Sequence, residues 1–102
     1  MTGPTGGESR STFTSTTGGV MTEEAGAVTG ELDLLCKPEA EGMRVAVRYA
    51  GADEWHTVSG SPVQIQGNPG DALGRVVRHL STPGPVVDGN ERAVTLEGFA
   101  GA

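Results

Sequence analysis

The sequence predicts an α+β fold: a small antiparallel sheet of four to five strands with one helix, about residues 69–81, packed on one face. Three observations predict it. Residues 43–49 alternate polar and apolar side chains, the period-two signature of a half-buried strand. Leu73, Val76, Val77 and Leu80 recur at i, i+3, i+4 and i+7, which is one stripe of a helix. Glycine- and proline-bearing clusters at 51–53, 59–62 and 88–90 divide the rest into strand-length runs.

Residues 1–30 are dominated by glycine, serine and threonine, with no periodicity. Such a segment buries too little apolar area to offset its ordering entropy, so a disordered tail is expected, with the domain at 31–102. Gly18-Gly19 stand a short spacer before Met21, and two glycine codons can spell the purine-rich signal that precedes a bacterial start codon. The natural protein is therefore expected to begin at Met21, leaving residues 1–20 as upstream sequence.

The first strand is expected at 31–36, where the alternation is imperfect. Pro38 and Gly42 then bracket a turn-rich link. In 43–49, Val45, Val47 and Tyr49 point one way and Arg44, Ala46 and Arg48 the other. A hairpin loop at 51–53 leads to a return strand at 54–58, a corner at 59–62 and a third run at 63–66, making a meander.

Loop length decides which of Trp55 and His56 faces inward. A three-residue loop at 51–53 puts Trp55 with Tyr49 on the apolar face and His56 opposite Arg48. A loop of two or four residues inverts this, because a one-residue slip exchanges the faces. At the second corner, a two-residue Gly60-Ser61 turn would gather His56, Val58, Val63 and Ile65. Pro62 opposes that turn because it lacks the closing amide, whereas a four-residue loop restores the same parity without it. Area decides between the two. A buried tryptophan removes about 150–250 Å² from water. At ~25 cal/mol per Å² this is roughly twice what burying Val58 returns. Trp55 is expected inside and His56 outside.

The helix carries its own start and stop signals. Asn68 is a cap candidate, Pro69 suits the first helical position and Asp71 favours the first turn. Arg75, Arg78 and His79 take the other side, and 81–85 (Ser-Thr-Pro-Gly-Pro) ends it. A turn at 88–90 precedes a last strand at 92–97 with Val94 and Leu96 inward. A β-grasp-like layout is the alternative arrangement. The sequence ends in Gly98-Phe-Ala-Gly-Ala102, without the terminal Gly-Gly of a modifier or sulfur carrier.

Size and charge narrow the function. The 102 residues allow one domain, and 17 glycines with 35% hydrophobic residues imply a folded part smaller than the chain. Shallow surfaces suit that size better than a deep cavity. A net charge of −6 disfavours nucleic acid and anionic membranes as partners of the whole molecule. No apolar run approaches the length of a membrane span, and no signal peptide is visible. The single cysteine excludes an internal disulfide and fits a cytoplasmic location. One lysine against six arginines suggests a GC-rich bacterial genome.

No catalytic constellation stands out. His56 and His79 are far apart in sequence, and no CxxC or HxxxH spacing exists, so neither a metal nor a cofactor is expected. Ser59-Gly60-Ser61 lacks the nucleophile-elbow pattern and reads as turn chemistry. Cys36 reads as a small buried hydrophobe, with Lys37 on the opposite face. The loop at 67–71 lacks a phosphate-loop spacing and reads as a helix cap. Glu23-Glu24 and Glu39 with Glu41 read as solvated charges.

One pattern remains. Arg44, Arg48, His56 and Gln64 share the wet face in the favoured register. Arginines gathered on an acidic protein suit a carboxylate, a phosphate or an acidic partner; the plainer reading is a solvent face paired to nearby glutamates. The expected function is a small acidic non-enzymatic interaction or regulatory module with a protein partner, working through that face or an edge strand, with a homodimer as one form. The alternatives are a small-ligand-binding protein or minor enzyme subunit using His56 or His79, and a weak nucleic-acid binder using a local basic strip.

Overall fold

The computed structural model describes residues 8–64 and 69–99. Its main sheet has four antiparallel strands: β1 (Ser9–Thr14), β4 (Glu31–Glu39), β5 (Gly42–Tyr49) and β6 (His56–Thr57), in the order β1-β4-β5-β6. Between β1 and β4 in sequence lies a small hairpin of β2 (Val20–Thr22) and β3 (Gly26–Val28). The helix α1 (Pro69–Leu80) follows, then a second hairpin of β7 (Val86–Val87) and β8 (Asn90–Glu91).

The helix lies across β1 and β4 and buries Ala72, Val76 and Leu80 completely, with Leu73 and Val77 half-buried on its flank. Ala72 joins the expected stripe because i, i+4 and i+8 stay on one face. Thr82 Oγ1 donates to the Arg78 carbonyl at 2.8 Å and closes the last turn. Asn68 and residues 65–66 lie outside the described residues. Beneath the helix, Leu32, Leu34 and Cys36 of β4 and Met43, Val45 and Val47 of β5 form the inner face of the sheet. Tyr49, expected with them, sits at the strand end and is 46% exposed.

The disordered-tail expectation is corrected for residues 8–30. β1 pairs with β4 along its whole length, from Ser9↔Cys36 to Thr14↔Glu31. Val20 and Val28 are buried in the core. Composition averages over the segment, while the fold uses the few apolar residues it has. Each valine so buried contributes about 1.5–3 kcal/mol, and the ladder with β4 satisfies the backbone. Residues 1–7 lie outside the described residues.

The link between β4 and β5 is tighter than expected. Strand β4 continues through Pro38 to Glu39, and Ala40-Glu41 is the whole turn. Pro38 is tolerated because β5 asks no amide of it. Its partner Met43 exchanges backbone bonds with Val63 instead, so the Pro38 nitrogen faces away from β5, past the Ser9 end of β1.

The expected meander is also corrected. Val58 and Val63 both bond to β5: the Val58 amide donates to the Val45 carbonyl, and Val63 pairs with Met43. Residues 59–62 therefore leave and rejoin the same edge, with a cis Ser61–Pro62 bond. Ser61 Oγ accepts the Val45 amide at 2.8 Å and fills the gap in the ladder. That is the role of the Ser-Gly-Ser-Pro corner.

The expected last strand at 92–97 is corrected to a segment outside the three sheets, bridged at Val94 to Val20, with Val94 and Leu96 buried as expected. It threads between the β2 strand and the 59–62 corner: the Met21 amide donates to Val94, Val94 to Gly19, and Leu96 to Ser59. Glycine makes this approach possible. A methyl group at Gly60 would collide with the Leu96 backbone, and one at Gly18 would stand 2.5 Å from the Arg92 carbonyl oxygen.

Candidate functional site: the outer face of the main sheet

The sheet face turned away from the helix is set by the same alternation that fills the core. Arg10 and Thr12 of β1, Asp33, Leu35 and Lys37 of β4, and Arg44, Ala46 and Arg48 of β5 lie there. The register of β6 decides what joins them. Val47 pairs with His56 and Ala46 with Thr57, so Trp55 stands opposite Arg48 across a four-residue loop. This corrects the expected three-residue loop. Trp55 lies on the outer face, and His56 turns toward the side of Val47, half-buried.

The core is not the one sheltered place open to the indole. The outer face supplies another. The Arg48 guanidinium lies 4.5 Å from the Trp55 ring centroid and that of Arg10 lies 5.7 Å away. Stacking of this kind contributes about 0.5–1 kcal/mol at exposed sites and more when desolvated. Ala46, shielded beside the indole, is 2% exposed although it is on the outer face. Val58 takes the interior place instead.

Arg48 is held from two sides. Its Nε donates to Asp33 Oδ2 at 2.8 Å while its plane rests on Trp55. Its terminal nitrogens carry no other hydrogen bond among the described residues. Arg44 is exposed and reaches Thr57 Oγ1 at 3.2 Å. Arg10 meets Glu8 at 3.6 Å, a loose surface pair. Two shallow clefts flank the indole. One, of about 460 Å³, is lined by Arg10, Ser11, Thr12, Asp33, Arg48 and Trp55. The other, of about 160 Å³, has Leu35, Ala46 and Trp55 as apolar lining with Lys37, Arg44 and Glu8 around them. Together they set four cationic side chains against two carboxylates, on a chain whose net charge is −6.

Of the four residues expected to share this surface, Arg44 and Arg48 do so, and Gln64, exposed next to the inward Val63, turns to the same side at its margin. His56 does not, and its Nδ1 is buried without a hydrogen-bond partner among the described residues. Gln64 sits at the end of the sheet, where Nε2 donates to the Glu41 carbonyl at 2.7 Å and braces the β4–β5 turn. Trp55 and Arg10 were not expected there. The only signal for Arg10 is a faint alternation in residues 9–14, where Phe13 is the single large apolar side chain.

A third cleft, of about 400 Å³, lies at the end of α1 and brings together His79, Pro83, Pro85, Val94, Thr95 and Glu97. His79 Nε2 donates to the Thr95 carbonyl at 2.7 Å, and Phe99 meets the imidazole edge-on at 5.2 Å. The basic strip Arg75, Arg78, His79 is thus divided, because His79 folds back onto the last segment while Arg78 stays exposed.

Cys36 is fully buried, and burial pushes its thiol up to about 12, so it carries no thiolate near neutral pH. Among the described residues no three His, Cys, Asp or Glu side chains gather where they could hold a metal ion. Among the same residues no helix is long and apolar enough to cross a membrane. Comparison of the chain with protein-family models, with curated proteins and with solved structures finds no match.

Proposed function

We propose that this protein is a non-enzymatic interaction module whose outer sheet face captures an acidic protein partner. The observation that supports this most is the Trp55–Arg48–Asp33 cluster. A guanidinium held by a carboxylate and an indole has lost its rotamer freedom before any ligand arrives, which lowers the cost of binding. Arginines and aromatics are also the residue types that dominate binding energy at interfaces. The shallow clefts suit a partner surface better than an enclosed small substrate.

The test uses an acidic probe, poly-glutamate, titrated against the intact protein at increasing salt. Binding should weaken with salt and be lost in the double variant Arg44→Ala, Arg48→Ala, with circular dichroism unchanged. Unchanged binding in that variant removes the face from consideration. Equal or stronger capture of single-stranded DNA would favour the nucleic-acid alternative, since an aromatic in a basic setting is also a base-stacking platform.

A second reading rests on the cleft at the end of α1, where a histidine and a carboxylate share one cavity. It casts the protein as a small-ligand binder using His79. Imidazole resonances of His79 that shift with an added metabolite mixture, and lose that response in Glu97→Gln, would support it; a silent His79 argues against it.

A further inference from the structure

Among the described residues the open edge of the main sheet is β1, and the direction of its outward backbone groups follows from the ladder. In β5, Met43 donates to and accepts from Val63, and the Val45 carbonyl accepts from Val58, so odd-numbered residues point toward the β6 side. Even-numbered residues of β5 therefore point toward β4, as the Ala50 amide donating to the Glu31 carbonyl shows at the strand end. Through the pairs Arg44↔Lys37, Ala46↔Leu35 and Arg48↔Asp33, odd residues of β4 face β5 and even residues face β1. Their partners on β1 are Ser9, Ser11 and Phe13, and the Ser15 amide donating to Gly30 continues the series. The amides and carbonyls of Arg10, Thr12 and Thr14 thus point outward. All three residues are exposed, and among the described residues only β4 pairs with β1.

We propose that this edge accepts an extended acidic segment of a partner protein as a fifth strand, with a carboxylate set beside Arg10. This rests on the reading of the outer face as the surface for an acidic partner and adds how that partner is held. Residues directly opposite in an antiparallel pair share a face, with Cβ atoms about 4.5–5.5 Å apart. The residue bonded to Arg10 therefore projects onto the outer face, next to the cleft of Arg10, Arg48 and Trp55. Its neighbours in the added strand project inward, beside Phe13, which is half-buried at the margin of the core. The segment recognised alternates acidic and aliphatic residues: backbone bonds supply affinity and the alternation supplies specificity. Charge complementarity selects this occupant over a second copy of the chain, whose own β1 brings Arg10 and no carboxylate within the strand.

The experiment titrates a short peptide of alternating glutamate and valine into the intact protein, followed by Trp55 fluorescence and by amide exchange at Arg10, Thr12 and Thr14. Those three amides should become protected, and a lysine–valine peptide should not bind. Thr12→Pro deletes an outward donor and no bond to β4, so the fold should persist while affinity falls. N-methylation of the peptide at the bonded positions makes the same test without altering the protein. Each backbone bond lost should weaken binding by up to roughly tenfold. Arg10→Glu should transfer preference to the lysine peptide. Binding that survives Thr12→Pro and N-methylation but fails in Arg44→Ala, Arg48→Ala overturns strand addition and leaves the face reading standing. Binding indifferent to all of these overturns both. Self-association of the free protein that Thr12→Pro abolishes shows a second copy on the edge and overturns the acidic occupant.

Discussion

Leu34 and Leu35 are neighbours on β4, yet one is sealed in the interior and the other lines a cleft beside Trp55 on open surface. The inner face is held by area alone: Leu32, Leu34, Met43, Val45 and Val47 offer no polar contact and expose nothing. The outer face is held by directional contacts between groups that stay partly wet: Asp33 with Arg48, and both Arg48 and Arg10 with Trp55. The difference shows that alternation assigns sides without ranking them by size. A side chain as large as tryptophan can be placed on the wet face when guanidinium groups shelter it.

The strongest way to break this comparison is to remove what covers the inner face at the β1 end. A chain beginning at Met21 lacks both β1 and Val20. It should lose more stability than any single substitution, since Val20 alone accounts for about 1.5–3 kcal/mol. An unchanged urea midpoint would show that β1 and Val20 contribute nothing to stability. Next in size is the pair on β4. Leu34→Ala should cost about 2–5 kcal/mol in chemical denaturation. Leu35→Ala should cost about 1 kcal/mol or less, and equal costs would erase the distinction between the faces. The Trp55–Arg48 contact should register in a double-mutant cycle with Trp55→Ala and Arg48→Ala as a coupling of about 0.5–1 kcal/mol. A coupling of zero means that the two stack without stabilising each other.

The smallest effect belongs to Glu24. Its carboxylate accepts the Thr57 amide at 2.7 Å, which lowers its pKa below the ordinary 4.5, with His56 adding a minor attraction. A depressed carboxyl group stabilises the fold above its ordinary value and loses that contribution as pH falls through the lower folded value. Stability measured from neutral pH downward should therefore fall slightly less steeply in Glu24→Gln than in the parent protein.

The helix and the inner faces of β4 and β5 were legible because period and burial coincide there: Leu73 to Leu80 and Val45 with Val47 repeat at the spacing their elements demand. The turn at Asp88-Gly89 was legible for a related reason, since its φ angles of 53° and 80° suit Asp and Gly. The tail was illegible because β1 spends its one large apolar residue, Phe13, among serines and threonines, and pairing with a distant strand is invisible in local composition. The site was half legible. Arg44 and Arg48 followed from parity within one strand, whereas Trp55 and His56 depended on a loop whose length the letters Gly-Ala-Asp do not specify. Gln64 keeps its outward parity next to Val63, although the 59–62 excursion replaces the meander that placed it.

The abundance of glycine changes meaning once the course of residues 92–97 is known. At Gly18, Gly60 and Gly84 a neighbouring main chain occupies the volume that a side chain would need. Space is thus filled in part by peptide planes lying against one another, with few bulky groups required. Attempts to stiffen this protein by exchanging glycine for alanine must discriminate among sites. Gly74, in the helix with nothing near it, will accept the change, while the three crossing points will answer it by forcing the strands apart.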